Sequence, residues 1–421
     1  VDKLYIQGGK PLQGTLSIEG AKNALLPLMA ATLLTDQPVT LRRATPFSDT
    51  FMMIQLLTEL GGCIDFNQAD RVLHISIPRV QKATAPYDVV RKMRASILIL
   101  GPLLARYGQA SISLPGGCAI GVRPVDFHIK ALEALGAKIT LKNGILDARA
   151  PNGLQGSTYA FPQVSVTGTA NLLMAATLAQ GETEIFNAAR EPEIVDLTHC
   201  LIKMGAQIEG VGTAHLKIKG VSSLKGVTYT VIPDRIEMGT YIMACGITGG
   251  ELCFKGGNLG LLSTVIHLLK EVGIQFQEMG EGLKVSSPPP QELSARDMIT
   301  EPYPGFPTDL QAQFMALMTL VPDSSLIRET IFENRFMHAA ELTRMGANIT
   351  IDGHTACVRG INMLKGAPLM ATDLRASVSL VLAGLAATGE TTINRIYHLD
   401  RGYFDLEEKL HACGARISRA P

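Results

Sequence analysis

Between Leu114 and Phe127 the chain reads Leu-Pro-Gly-Gly-Cys-Ala-Ile-Gly-Val-Arg-Pro-Val-Asp-Phe. Pro115, Gly116, Gly117, Gly121 and Pro124 exclude regular helix or strand across most of this stretch. Long loops of this kind carry sites more often than they serve as spacers. Cys118 sits in its middle, flanked by glycines, with Arg123 five residues on. A thiol beside a guanidinium can work as a thiolate or an acid near neutral pH, whereas a cysteine in an apolar turn is inert. Composition alone leaves both readings open.

Further polar anchors interrupt an otherwise apolar chain. Gly20-Ala-Lys-Asn23 opens the first helical pattern, with Asn23 either a helix cap or a ligand-facing amide. Gln163, Val164, Ser165 and Val166 precede the third such helix and offer backbone amides and a hydroxyl. In Ala188-Ala-Arg-Glu-Pro-Glu-Ile-Val-Asp196, Glu191 and Glu193 read equally as acids of a helix first turn around Pro192. Phe306-Pro-Thr-Asp-Leu-Gln311 puts Asp309 at a helix start, where it would be a cap or, among cations, an ionised carboxylate able to take a proton from a hydroxyl. Glu333-Asn-Arg-Phe336, Thr372-Asp-Leu-Arg375 and His398-Leu-Asp-Arg-Gly-Tyr403 complete the set, the last bringing Arg401 beside Gly402. Such anchors in apolar surroundings suggest a binding cleft.

The elements that must hold these residues repeat. A Leu-x-x-apolar-Gly pattern, read as a helix end followed by a strand, recurs with its glycine at Gly61, Gly136, Gly205, Gly273, Gly346 and Gly414. The spacing is roughly 68 to 75 residues, about one sixth of the 421-residue chain. Ala-rich apolar helices end near Asp36, Gly108, Gly181, Gly249, Asp323 and Gly389, and fourteen residues before each lie Lys22, Arg94, Thr167, Arg235, Asp309 and Arg375. Four of those six are cations at a helix N-terminus, where the backbone dipole disfavours them by about 0.3–1 kcal/mol. Either the long side chains snorkel to solvent, or helix ends and cations converge on a strongly anionic ligand. Units of this length suit two globular α/β domains of three units each rather than a solenoid, with a boundary near residues 231–235.

Composition sets the outer limits. Lys plus Arg and Asp plus Glu both number 38, so no net field argues for nucleic acid or an anionic membrane. No apolar run approaches the roughly 20 residues of a membrane span, and the N-terminus lacks a signal-peptide core. Seven cysteines without a Cys-x-x-Cys pair fit neither a disulfide framework nor a zinc site, and the nine histidines show no metal-ligand spacing. The expectation is a reduced, cytoplasmic protein with no metal and no cofactor.

These motifs together resemble the UDP-N-acetylglucosamine 1-carboxyvinyltransferase (UDP-N-acetylglucosamine enolpyruvyl transferase) family. The match runs through Gly20-Ala-Lys-Asn23, Leu114 to Cys118, Gly121 to Asp126, Ala188 to Asp196, Phe306 to Asp309, Glu333 to His338, Asp373 to Ser377 and Arg395 to Tyr403. The resemblance implies two inside-out α/β barrel domains of three repeated units of about 70 residues each. Residues 22–231 would form the N-terminal domain, residues 1–21 plus 232–421 the C-terminal domain, with the active site in the cleft between them.

It also implies a reaction, transfer of the enolpyruvyl group of phosphoenolpyruvate to the 3-hydroxyl of UDP-N-acetylglucosamine with release of phosphate. This is the first committed step of peptidoglycan synthesis and requires no protein partner, nucleic acid or membrane. Addition and elimination need an acid for the methylene carbon, a base for the hydroxyl and cations for the phosphate ester. By resemblance Cys118 is the acid, able to bond phosphoenolpyruvate and to be alkylated by fosfomycin, and Asp309 is the base. Lys22, Arg123 and Arg401, with Asn23, clamp phosphoenolpyruvate, while Asp373 and Arg375 support the intermediate. Arg94, Arg123, Pro124, Val125, Asp126, Phe127, Gln163, Val164, Ser165, Val166 and Ile331 line the nucleotide-sugar site, together with Asp309.

The chain departs from the family pattern at Ala44 to Asp49, which lacks the usual Asn and basic residue. It departs again at Gln163, where Lys is common, and at Ala119, where Thr is frequent. The alternatives are 3-phosphoshikimate 1-carboxyvinyltransferase, which lacks the cysteine loop, and a non-catalytic nucleotide-sugar-binding paralogue.

Overall fold

A computed structural model describes residues 2–85, 87–91, 93–114, 125–280 and 282–420. The chain divides into two compact units, a C-terminal one holding residues 2–19 and 233–420 and an N-terminal one holding residues 20–114 and 125–232.

Each unit repeats one motif three times: an apolar inner helix, a strand, an outer helix, an antiparallel hairpin and a short closing strand. The closing strand pairs in parallel with the first strand of the next repeat, so each four-stranded sheet draws on two repeats. In the N-terminal unit the ring closes when Thr228–Thr230 returns to pair with Val39–Arg42. The C-terminal unit closes through the chain's own beginning. Strand Lys3–Gln7 fits antiparallel between Glu390–Asn394 and Arg416–Ala420, and Gln13–Ser17 pairs in parallel with Glu251–Lys255. The last repeat is therefore built from both ends of the chain. Glu19 is fixed there as well: its N–H donates to the Glu237 carboxylate at 2.8 Å, and Lys409 bridges both acids.

The inner helices explain the inside-out arrangement. In Arg235–Thr248 every residue but Thr248 is buried, and Lys22–Ala31 and Val166–Ala176 are nearly as enclosed. A helix apolar all round must lie in a core, so the sheets are left outside. Within each unit the inner helices pack on one another. The six glycines expected to end helices do so: each follows an outer helix, precedes a strand and has φ between +89° and +117°. Of the six positions fourteen residues before the turns, four fall within one residue of an inner-helix start, and Arg94 and Asp309 fall in the 3-10 turns Arg94–Ile99 and Thr308–Leu310 that lead into one. No helix among the described residues is long and apolar enough to cross a membrane.

Two histidines are buried in these cores. His128, on the helix Asp126–Ala134, receives the Asn171 amide on Nδ1 at 2.9 Å and lies 3.1 Å from Thr167 Oγ1 through Nε2. Asn171 is itself fixed because its carbonyl accepts the Gly101 N–H and its amide donates to Ile97. Nδ1 must therefore accept, which leaves the proton on Nε2 to be donated to Thr167. Burial, assisted by Arg94, lowers the His128 pKa from 6.5 to about 4. His338 is likewise lowered to about 4 by burial, with Asp373 opposing and Arg335 assisting the shift.

Two stability predictions follow from this packing. Gly346 has φ +99° and open space around it, so Gly346→Ala should cost about 1–2 kcal/mol of backbone strain alone. A Cβ on Gly360 would lie 1.8 Å from the Val321 carbonyl oxygen, so Gly360→Ala should cost about 3 kcal/mol. Urea unfolding compares them, and equal losses would contradict the packing argument. For His128, the unfolded chain binds a proton below pH 6.5 while the native one resists until about 4. Stability is therefore fully present above 6.5 and falls as pH drops towards 4, by on the order of 3 kcal/mol at most. In His128→Gln that component vanishes, so the stability gap between parent and variant should narrow with acidification; a constant gap would refute it.

Candidate functional site

Cys118, Arg123 and Pro124 lie outside the described residues. The other residues singled out from the sequence fall into two groups, one in each unit.

In the N-terminal unit Lys22 is the first residue of the helix Lys22–Ala31, with no side chain capping that end. Its Nζ meets Asp49 Oδ2 at 2.7 Å, both side chains almost fully buried. A buried ion pair survives only if both partners are held, and Asp49 is held in the first turn of the helix Ser48–Glu59. Asn23 is exposed beside Lys22 and is a helical residue, not the cap. Arg94 starts the 3-10 turn Arg94–Ile99 and lies near enough to His128 to lower its pKa. Ser165 caps the helix Val166–Ala176 by accepting the Gly168 N–H, while Gln163 and Val166 are exposed and Val164 half-buried. Val125, Asp126 and Phe127 begin the helix that carries His128, with Asp126 facing solvent.

In the C-terminal unit the starts of the three inner helices meet. Asp234 caps Arg235–Thr248 by accepting the Ile236 and Glu237 N–H groups on Oδ1. Asp373 lies two residues before Arg375, the N-cap of Ala376–Ala386, and takes the Arg375 and Ala376 N–H groups on Oδ1. Asp309 stands in the 3-10 turn Thr308–Leu310, whose N-cap is Pro307, so Asp309 is not the cap. Its Oδ1 accepts Arg335 Nη2 at 2.8 Å and its Oδ2 faces Arg375 Nε at 3.6 Å. Arg375 reaches Asp234 at 4.0 Å and donates to the Gly402 carbonyl at 3.2 Å, next to Arg401 at the end of the turn Ile396–Arg401. Burial works against the Arg375 charge, yet Tyr403, Asp234 and Asp309 hold its pKa above the ordinary arginine value. Gln313 locks the carbonyl of Asp309 and the Tyr403 and Thr240 hydroxyls together. Ile331 lies half-buried, its N–H accepted by Glu329.

The structure thus joins Asp309, Asp373 and Arg375, with Arg401 adjoining, in one cluster. Asp309 keeps about a quarter of its side chain exposed while its two guanidinium partners are buried. A carboxylate held this way stays oriented, reachable and balanced by positive charge. Sequence reading missed Arg335, although it lies inside the quoted Glu333-Asn-Arg-Phe-Met-His338 motif. It also missed Asp49, which ends the Ala44 to Asp49 stretch noted only for what it lacks. Asp49 could have been suspected because a Lys at a buried helix start requires an acid. Four cations at helix starts suggested an open anion site, but Arg235 is buried against the Tyr303 ring at 5.6 Å and Arg375 is buried among carboxylates. Among the described residues no group of three or more His, Cys, Asp or Glu is placed to hold a metal ion.

Comparison with known proteins agrees with this architecture. Residues 6–410 match the family model EPSP synthase (3-phosphoshikimate 1-carboxyvinyltransferase). The UDP-N-acetylglucosamine 1-carboxyvinyltransferase of Dinoroseobacter shibae is 57% identical, across 100% of this chain and 99% of its own. That of Rhodospirillum centenum is 56% identical, with the same coverage. Among solved structures, the enolpyruvyl transferase NikO from Streptomyces tendae aligns with a TM-score of 0.91 at 25% identity, covering 100% of this chain and 99% of its own. EPSP synthase from Acinetobacter baumannii shares the fold, with a TM-score of 0.76 at 17% identity and full coverage of both chains. With a family model spanning nearly its whole length and relatives above half identity, this chain belongs to the EPSP synthase family of enolpyruvyl transferases.

Proposed function

We propose that this chain transfers the enolpyruvyl group of phosphoenolpyruvate to the 3-hydroxyl of UDP-N-acetylglucosamine, releasing phosphate and committing the sugar nucleotide to peptidoglycan. The observation that carries this is Asp309. Of the three aspartates at the inner-helix starts of the C-terminal unit, Asp234 and Asp373 spend an oxygen on backbone N–H groups, whereas Asp309 faces two guanidiniums. The relatives above half identity bear the name of this reaction over their full length. The family model's own description names transfer to 3-phosphoshikimate, but the solved EPSP synthase at 17% identity supports only the fold.

In the proposed course Cys118 gives its proton to the methylene carbon of phosphoenolpyruvate. The 3-hydroxyl oxygen bonds to the adjacent carbon and passes its proton to Asp309. The Cys118 thiolate then takes back a proton from the former methylene carbon as phosphate is expelled, which restores the double bond. Lys22, Arg123 and Arg401 would hold phosphoenolpyruvate, with Asn23 beside them, and Arg375 and Asp373 would keep Asp309 and Arg401 in place. Lys22 suits that task because Asp49 already fixes its ammonium, so little entropy is lost on binding. Arg94, Arg123 to Phe127, Gln163 to Val166 and Ile331 would take the nucleotide sugar. The proposed location is the cytoplasm, with no cofactor and no required partner.

Phosphate release from phosphoenolpyruvate should occur with UDP-N-acetylglucosamine as acceptor and not with shikimate 3-phosphate. Asp309→Asn should lower kcat by about a hundredfold or more, as loss of a general base does. Release with shikimate 3-phosphate alone would move the assignment to the sister reaction, and release with neither would leave a binding protein. Cys118→Ala should lose turnover while Cys118→Asp, which keeps an acid, retains it but escapes alkylation by fosfomycin. Full turnover by Cys118→Ala would remove Cys118 from the acid role.

A further inference from the structure

Glu329 follows the strand Ser324–Arg328 and is 1% exposed. Among the described residues no Lys or Arg pairs with it. It is satisfied by four donors instead. Oε1 accepts the Thr300 hydroxyl at 3.0 Å and the Ile331 and Phe332 N–H groups at 2.8 and 3.1 Å, and Oε2 accepts the Thr308 hydroxyl at 2.9 Å. A carboxylate is the side chain that can accept on every side; a glutamine would turn an NH2 towards donors.

What those donors carry is informative. The Thr308 hydroxyl, its proton committed to Glu329, offers its lone pair to Arg335 Nη1 at 2.9 Å. The other arm of the same guanidinium, Nη2, grips Asp309 Oδ1 at 2.8 Å. Arg335 also lies over the Phe332 ring at 5.2 Å, and the Phe332 backbone is anchored to Glu329. One buried carboxylate therefore sets the acceptor for one arm of Arg335 and the ring beneath it, and so the direction of the other arm.

We propose that Glu329 is a positioning residue for Asp309, acting through the Thr308 hydroxyl and the Arg335 guanidinium. The assignment rests on the reading of Asp309 as the base. Without Glu329 the Thr308 hydroxyl is free to rotate its proton towards Arg335, and the guanidinium loses its second anchor. Misplacement of a reacting group by about 1 Å can cost up to about a hundredfold in rate.

Steady-state kinetics on the full chain tests this with Glu329→Gln, Thr308→Val, Thr308→Ser and Asp309→Asn. Glu329→Gln and Thr308→Val should each lower kcat about tenfold or more with KM for UDP-N-acetylglucosamine within about threefold. Thr308→Ser, which keeps the hydroxyl, should recover most of the loss, and the Glu329→Gln/Thr308→Val pair should be no worse than either alone because both break one path. Thermal melting identifies any variant that fails to fold; should Glu329→Gln be one, the contrast between Thr308→Val and Thr308→Ser decides alone. If Glu329→Gln and Thr308→Val keep kcat within about twofold, or raise KM only, while Asp309→Asn abolishes turnover, the positioning role is refuted and the base survives. If Asp309→Asn keeps full turnover, the base reading falls and this proposal falls with it.

Discussion

Burial of the Arg375 guanidinium constrains the C-terminal unit more than any other single feature. A cation with 2% exposure cannot be left uncompensated, since removing it from water costs several kcal/mol. Its compensation comes from Asp234 and Asp309, on the two other inner helices, and from the Gly402 carbonyl. The three helix starts are thereby tied at one point, together with the Gly402 backbone that follows Arg401. Asp309 is held by the same demand: its second partner, Arg335, is also buried and needs a carboxylate. Charge balance, which a folded core requires anyway, here aligns a group that can accept a proton.

The inside-out packing explains why such charges gather where they do. A helix buried on every side has no polar face, so its charged residues are confined to its ends. The N-terminal end carries a positive partial charge and unsatisfied N–H groups, which attract carboxylates. Asp234 and Asp373 meet that need directly. Pro307 at the third start has no side-chain acceptor, and Asp309 two residues on is left to the guanidiniums. Repetition of one motif supplied equivalent positions; the local capping chemistry made them unequal.

Much of this was legible in the sequence because it depends on local rules. The six glycines mark helix ends since the left-handed turn there favours glycine, and all six have that backbone. The six positions at helix starts were visible from spacing alone. What could not be read was pairing across the fold. Asp49 lies 27 residues from Lys22 and Arg335 lies 26 from Asp309, and nothing local says that either pair meets. Neither does local pattern reveal that strands Lys3–Gln7 and Gln13–Ser17 complete the last repeat, because strand pairing across the whole chain leaves no periodic trace. Cations at helix starts misled in part for the same reason: Arg235 is covered by a ring, and Arg375 neutralised by carboxylates, distant in sequence.

The six equivalent starts now differ in a way that separates structure from chemistry. Arg235 is covered by a tyrosine ring, Thr167 accepts from His128, and Arg375 is enclosed by carboxylates. Lys22 and Asp309 share another arrangement, a charged group fixed by an opposite charge that is itself buried, Asp49 in one case and Arg335 in the other. A charge fixed in that way has already lost its rotamer freedom before any ligand arrives. Preorganisation of this kind is where binding energy converts to rate, because nothing has to reorient as charge develops in the transition state. The repeat supplied six places for a polar side chain, and at Lys22 and Asp309 the prepaid geometry belongs to an ammonium suited to phosphate and a carboxylate suited to a hydroxyl proton.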